Sequence, residues 1–291
     1  MLGRWGFVAA VALIVGGCGS LAEQTDRFAN KHGMTRSIAL GAPFQHLLYS
    51  RYINASTQTL HVYIEGDGQP WDVGGLLPAD DPTPSRPLAL HLMAKDDDAA
   101  LYLGRPCYFD LATQSPCTTR YWTSARYSQQ VVTSMATVLN DFTKAGSIRK
   151  IVLIGYSGGG ALATLIASHL HTEVEVVTIA ANLDTDAWTA AHGYLSLDES
   201  LNPIQSARLT GISHHHFAGG QDSNISARSV ERFTRQHNGR FTRHDAFDHV
   251  CCWEDKWPSL LHNANNRPIT AGAQATGEGG ATSKTGHRHG Y

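Results

Sequence analysis

Leu60, Val62 and Ile64 alternate with His61 and Tyr63 in TLHVYI (59–64), and the alternation stops at Glu65-Gly66-Asp67-Gly68. A period of two ended by a glycine-rich break predicts a strand running into a tight loop. In SQQVVTSMATVLNDFTKAG (128–146), Val131, Met135, Val138, Leu139 and Phe142 recur every three or four positions. That spacing predicts an amphipathic helix, with Ser128 able to cap its start and Gly146 its end. Its Met and aliphatic stripe reads as core.

Downstream, strand-length apolar runs take turns with helical patterns: IVLIG (151–155), ALATLIASHL (161–170), VEVVTIA (174–180), GISHHHFAG (211–219), ARSVERFTRQH (227–237) and RFTRHDAF (240–247). Parallel strands need crossover connections and are buried on both faces, so this order predicts an α/β fold with a mostly parallel central sheet covered on both sides. Upstream, LALHLMAKD (88–96) reads as the start of a helix and AALYLGRPCYF (99–109) as a strand. Residues 78–87 hold four prolines and read as an irregular loop, while residues 21–57, with weak periodicity, read as one or two leading strands. From 264 to 291 the polar, glycine-rich composition predicts a tail that cannot bury enough apolar surface to order itself.

The first residues follow another logic. Arg4 precedes the apolar run WGFVAAVALIV (5–15), too short to span a bilayer and suited to a secretory signal. The run closes on Val15-Gly16-Gly17-Cys18, which resembles the lipobox of bacterial lipoproteins. The resemblance implies a signal peptide over 1–17, cleavage and lipidation at Cys18, and export to a bacterial membrane; Gly19 and Ser20 after the cysteine imply the outer membrane, facing periplasm or surface. The expected organisation is therefore a signal at 1–17, a lipidated leading segment at 18–57, a folded domain at 58–263 and a tail at 264–291.

Composition adds few constraints. The 291 residues, 42% of them hydrophobic, suffice for one large core, and a net charge of −2 gives no basic field for nucleic acid. Besides Cys18 there are four cysteines, an even number that suits an oxidising compartment. Cys107 and Cys117 close a short loop and are the favoured disulfide; Cys251 and Cys252 read equally as a vicinal bridge or as thiols. No spacing suggests a structural zinc site, and no cofactor or metal is called for.

The chemistry centres on Gly155-Tyr156-Ser157-Gly158-Gly159. G-x-S-x-G is a weak signal alone, but here an apolar strand precedes it and a helical pattern follows at once, the context a nucleophile elbow needs. Small flanking residues let strand and helix approach closely, and the helix N-terminus turns N–H groups toward a developing oxyanion. A serine needs a base, and the base needs an acid to hold its tautomer. Asp222 stands in the loop after GISHHHFAG and His249 after RFTRHDAF, with Asp184 the alternative acid and His244 the second choice of base. His214 and His216 share a strand face without a third ligand and read as core or capping residues, His215 likewise. Trp71, Trp122, Trp188, Trp253 and His192 read as either pocket lining or core.

With the order Ser157, Asp222, His249, the chain resembles the α/β-hydrolase superfamily over roughly 58–262. The resemblance implies a three-layer fold on an eight-stranded sheet and acyl transfer to water, with Ser157 as nucleophile, His249 as proton shuttle and Asp222 orienting the imidazole. A small-molecule ester is the expected partner, and the rival reading is a surface lipoprotein that keeps the fold as a binding module. Where many members carry His-Gly, this chain has Glu65-Gly66-Asp67-Gly68. The oxyanion hole is therefore expected from the N–H groups of Gly158 and Asp67, with Gly68 second. The Asp67 carboxylate, which would repel an oxyanion, is expected to turn toward a backbone donor or a basic residue such as Arg120 or Arg126.

Overall fold

The structure, a computed structural model, describes residues 19–144 and 146–265. The expected signal segment at 1–17, Cys18 and residues 266–291 of the expected tail lie outside the described residues.

The strands are β1 (Thr35–Gly41), β2 (Phe44–Arg51), β3 (Thr59–Ile64), β4 (Trp71–Asp72), β5 (Leu77–Pro78), β6 (Ala100–Leu103), β7 (Lys150–Tyr156), β8 (Glu173–Ile179), β9 (Ser213–Gly219) and β10 (Arg240–His244). The helices are α1 (Leu21–Lys31), α2 (Leu88–Met93), α3 (Gln129–Lys144), α4 (Gly158–Ile166), α5 (Thr185–His192), α6 (Pro203–Ser206), α7 (Ala227–Gln236) and α8 (Trp253–Asn265). Eight strands form one sheet in the order β1-β2-β6-β3-β7-β8-β9-β10, and β4 and β5 pair as a separate hairpin. From β6 to β10 the ladder is parallel; β1 and β2 add an antiparallel edge.

Register shows why there are three layers. Tyr49, Tyr102 and Tyr63 sit side by side on β2, β6 and β3. On that face Tyr49 donates to Asp26 of α1, and Trp257 of α8 donates to the hydroxyl of Tyr63 at 2.9 Å. His46, on the opposite parity of β2, instead meets Ser134 of α3 at 2.7 Å. Helices therefore cover both faces, and β3, β7 and β8 between them are almost wholly buried apolar strands.

Several elements differ from the pattern reading. The leading segment begins with helix α1, started by a capping box in which Ser20 Oγ accepts from Glu23 N and the Glu23 carboxylate accepts from Ser20 N. Because β1 and β2 belong to the central sheet, the folded unit extends N-terminal of residue 58. Residues 264 and 265 close helix α8 instead of opening a tail: Ala264 is buried, and its carbonyl accepts from Arg240. Trp253, Trp257, Leu260 and Leu261 form the buried stripe of that helix in spite of Pro258.

Candidate active site

The carboxyl ends of β3, β7, β8, β9 and β10 lie along one edge of the sheet, where ligands of open α/β sheets bind. Between β7 and α4 the chain reverses at Ser157, whose backbone has φ 52° and ψ −120°. A non-glycine residue at that φ is strained, and three bonds over-determine it: Ser157 N donates to Ile179 O at 2.9 Å, while Ser157 O accepts from Gly160 N and Asn182 N. Helix α4 starts directly at Gly158, three residues earlier than the apolar pattern suggests. A Cβ on Gly159 would strike the Ile64 carbonyl, and one on Gly155 would strike the backbone of Gly159 and Gly160, so glycine is required where strand and helix meet.

Ser157, Asp222 and His249 are brought together. His249 Nε2 stands 3.1 Å from Ser157 Oγ, and His249 Nδ1 stands 2.8 Å from Asp222 Oδ2. The Asp222 carboxylate is fully buried, and its second oxygen accepts from Asn224 N and Ile225 N, both at 2.8 Å. The buried carboxylate thus orients the ring with Nδ1 toward Asp222 and Nε2 toward the serine hydroxyl. Asp184 is elsewhere: it caps α5 through Ala187 N and pairs with Arg232. His244 ends β10 and stacks against Phe217 and Phe247, away from Ser157.

Asn224 escaped the sequence reading. Its Nδ2 donates to His249 Nε2 at 3.2 Å, while its Oδ1 accepts from Trp188 Nε1 at 3.1 Å. The indole N–H fixes which end of the amide faces the imidazole. Only the sequence separation of two from Asp222 hinted at this residue.

Facing Ser157 is the loop after β3. Among the described residues, the N–H groups of Asp67 and Gly158 donate no hydrogen bond within the protein, and Gly158 packs against Asp67. The Asp67 carboxylate is tied to Arg105 at 2.5 Å, Arg126 at 3.0 Å and Tyr127 Oη at 2.6 Å, and Tyr108 Oη donates to its carbonyl. Burial opposes its ionisation, but Arg126, Arg105 and the Tyr127 hydroxyl outweigh that and hold its pKa at about 2. Arg126 is thus a partner, as expected, and Arg105 a second that the sequence did not suggest; Arg120 pairs with Glu199. Gly68 has φ 64° and leads the loop off toward Pro82 and Pro84, so Asp67 is the residue placed against Gly158. Glu65, also buried, accepts from Gly66 N and from Ala89 N of α2; burial raises its pKa to about 7 in spite of these bonds.

A cavity of about 1360 Å³ opens above Ser157 and His249, lined also by Trp71, Tyr156, Trp188 and Leu195. Trp122 and Trp253 are core residues, and His192 is bonded to Asn224 O. The three histidines of β9 are accounted for by hydrogen bonds: Thr178 meets His216, His216 meets His214, His214 meets the His237 carbonyl, and His215 meets Thr242. Burial lowers the pKa of His214 and His216, which suits neutral rings. Among the described residues His61, Asp96 and Asp98 bring potential metal-ligand atoms within 4.8 Å of one another. Yet one Asp96 oxygen already accepts from both His61 and Tyr63, and Asp98 N donates to the other, so the group works as a hydrogen-bonded brace. Cys107 and Cys117 are bonded with their Cα atoms 5.5 Å apart, and Cys251 and Cys252 are bonded as neighbours.

No protein-family model and no curated protein sequence matches the chain. Solved structures do. An esterase from Pyrococcus furiosus superposes with a TM-score of 0.57 at 12% identity, over 90% of this chain and 98% of that one. A membrane phospholipase A described as a bacterial virulence factor gives 0.51 at 11% identity, over 85% and 92%. A puromycin hydrolase gives 0.55 at 13% identity, over 79% of this chain and 38% of its own length. At such identities the likeness speaks for architecture alone, and with the mostly parallel eight-stranded sheet between two helical layers it establishes that this chain has the α/β-hydrolase fold.

Proposed function

We propose that the protein is a serine hydrolase that cleaves carboxylic esters through an acyl-enzyme on Ser157. The observation that carries the reading is the unbroken relay from Asp222 through His249 to a strained Ser157 at the floor of an open cavity. Esterases and lipases among the structural neighbours favour the same chemistry.

In this mechanism His249 Nε2 takes the Ser157 proton as Oγ attacks the ester carbonyl. The negative charge that develops on the carbonyl oxygen meets the N–H groups of Gly158 and Asp67 at the N-terminus of α4. Collapse expels the alcohol, which receives the proton from His249. Water then repeats the sequence in the second half-reaction, releasing the acid and restoring Ser157. Asp222 stays ionised throughout and stabilises the imidazolium. The Asp67 carboxylate leaves the oxyanion unopposed because two guanidinium groups neutralise it.

The proposal extends to the protein's place in the cell: exported by the segment at 1–17, acylated at Cys18 and held on the outer membrane, with the hydrolase domain outside the bilayer. No helix among the described residues is long and apolar enough to cross a membrane.

The direct test is hydrolysis of p-nitrophenyl esters of graded chain length, followed by acid quench and intact mass. Turnover with transient mass gain of one acyl group, both lost in Ser157→Ala, is the expected result. No serine-dependent turnover on any member of the series would leave the fold as a binding module.

A further inference from the structure

Large apolar side chains are exposed at nine of the described residues, and five of these, Trp71, Leu76, Tyr194, Leu195 and Val250, line the cavity above Ser157, with Leu77 adjoining Leu76 on the same hairpin. Isolated exposed apolar residues are ordinary, whereas a contiguous set around one opening calls for a partner. The other three, Ile38, Leu40 and Tyr52, lie on β1 and just after β2, at the far edge of the sheet. The degree of exposure is high: Leu195 is 85% exposed and Leu76 77%. The hairpin of β4 and β5 presents Leu76 at its turn, next to Gly74 and Gly75, both at positive φ. Tyr194 and Leu195 follow α5, and Val250 follows His249, so three separate loops carry apolar groups to one rim.

We infer that this rim docks on the surface of a lipid bilayer and that the ester reaching Ser157 is one dissolved in that bilayer; the inference rests on reading the site as an ester hydrolase. Burial of apolar side chains at the boundary of headgroups and acyl chains is favourable in proportion to their area. Two observations select a membrane over a protein partner. Whatever covers the rim also covers the way to Ser157 and His249, so the occupant must itself deliver substrate, which a bilayer does and a docked protein would prevent. The chain also enters the fold on this side: Ser20 Oγ donates to Asp110 at 3.3 Å, and Asp110 N donates to Asp81, which belongs to the same 65–87 excursion that carries Leu76. The apolar run at 5–15 and Cys18 precede Ser20 directly, so an anchor there holds the mouth within reach of the membrane. Charge narrows the surface further. Asp72, Asp198 and Asp248 are exposed near the rim, and the cation Arg86 is paired with Glu254. These carboxylates favour a zwitterionic surface over an anionic one.

The experiment uses the full chain and the variant Leu76→Asp/Leu77→Asp, which share the same N-terminus. Hydrolysis of p-nitrophenyl butyrate in solution is compared with that of p-nitrophenyl palmitate dissolved in phosphatidylcholine vesicles. The ratio of vesicle rate to solution rate should fall at least tenfold in the variant; an unchanged ratio overturns the inference. A readout free of catalysis is quenching by phosphatidylcholine with brominated chains, the Trp71 contribution being isolated by comparison with Trp71→Phe. Quenching of that contribution supports docking, and its absence overturns it. Should the wild-type chain cleave neither ester, the hydrolase reading fails by itself and the quenching result still decides the docking.

Discussion

The two walls of the cleft are built on different principles. The wall from β7 to β10 holds Ser157, Asp222 and His249 on short loops, and hydrogen bonds of 2.8 and 3.1 Å join the three side chains. The opposite wall, from β3 to the start of α3, is organised around one carboxylate, Asp67, that gathers Arg105, Arg126 and Tyr127 from distant sequence. In the proposed mechanism the first wall moves protons, and the second, with its fixed charge pattern, supplies a backbone N–H to the reacting carbonyl. Removing a group from the first should therefore cost rate without folding, and from the second both.

The largest expected effect lies on the proton-moving wall. Ser157→Ala or His249→Ala should reduce kcat for a test ester by about 10⁴–10⁶-fold, and Asp222→Asn by about 10⁴-fold, with thermal melting nearly unchanged. A loss of folding in these variants would erase the contrast between the walls.

On the fixed wall, Asp67→Ala leaves Arg105 and Arg126, 1% and 5% exposed, facing each other without a counter-charge. Stranding buried charges costs about 3–5 kcal/mol, which urea denaturation should register together with a loss of activity. The same group sets an acid limit. Its pKa is depressed from 3.8 to about 2, so its contribution to stability is full above the unfolded value and fades as pH falls from 3.8 toward 2. Asp67→Asn should show a shallower loss of melting temperature across that range.

Legibility followed the range of the interactions. The elbow and the candidates Asp222 and His249 show in local patterns: strand parity, a glycine-flanked serine, a loop after each strand. Sequence order alone left Asp184 and His244 in play, and only the fold separates them from Asp222 and His249. On the fixed wall Arg126 was among the partners expected for Asp67, but Arg105 was hidden because nothing in the residues near 105 refers to position 67. Two misses had local signals. Ser20-Leu21-Ala22-Glu23 is a capping box in front of α1, and the stripe of Trp253, Trp257, Leu260, Leu261 and Ala264 repeats the spacing that identified α3. Pro258 and the polar tail composition obscured that second stripe.

Smaller effects sharpen the comparison where the walls meet. Asn224→Ala removes a donor that shares the lone pair of His249 Nε2 with the Ser157 hydroxyl and must give way once the ring is protonated, so kcat should stay within about threefold of the wild type or rise, with little change in KM. Glu65 should show itself in stability alone. Its pKa is raised from 4.5 to about 7, so the folded state binds the extra proton and stability falls as pH rises from 4.5 toward 7. Differential scanning calorimetry of Glu65→Gln should give a flatter dependence over that interval than the wild type.

The central claim is that Ser157 is the activated nucleophile, and the most direct measurement is reaction with a fluorophosphonate followed by peptide mass spectrometry. The label should fall on Ser157, vanish in Ser157→Ala and form far more slowly in His249→Ala. A label on another residue, or equal labelling with and without His249, would contradict the account.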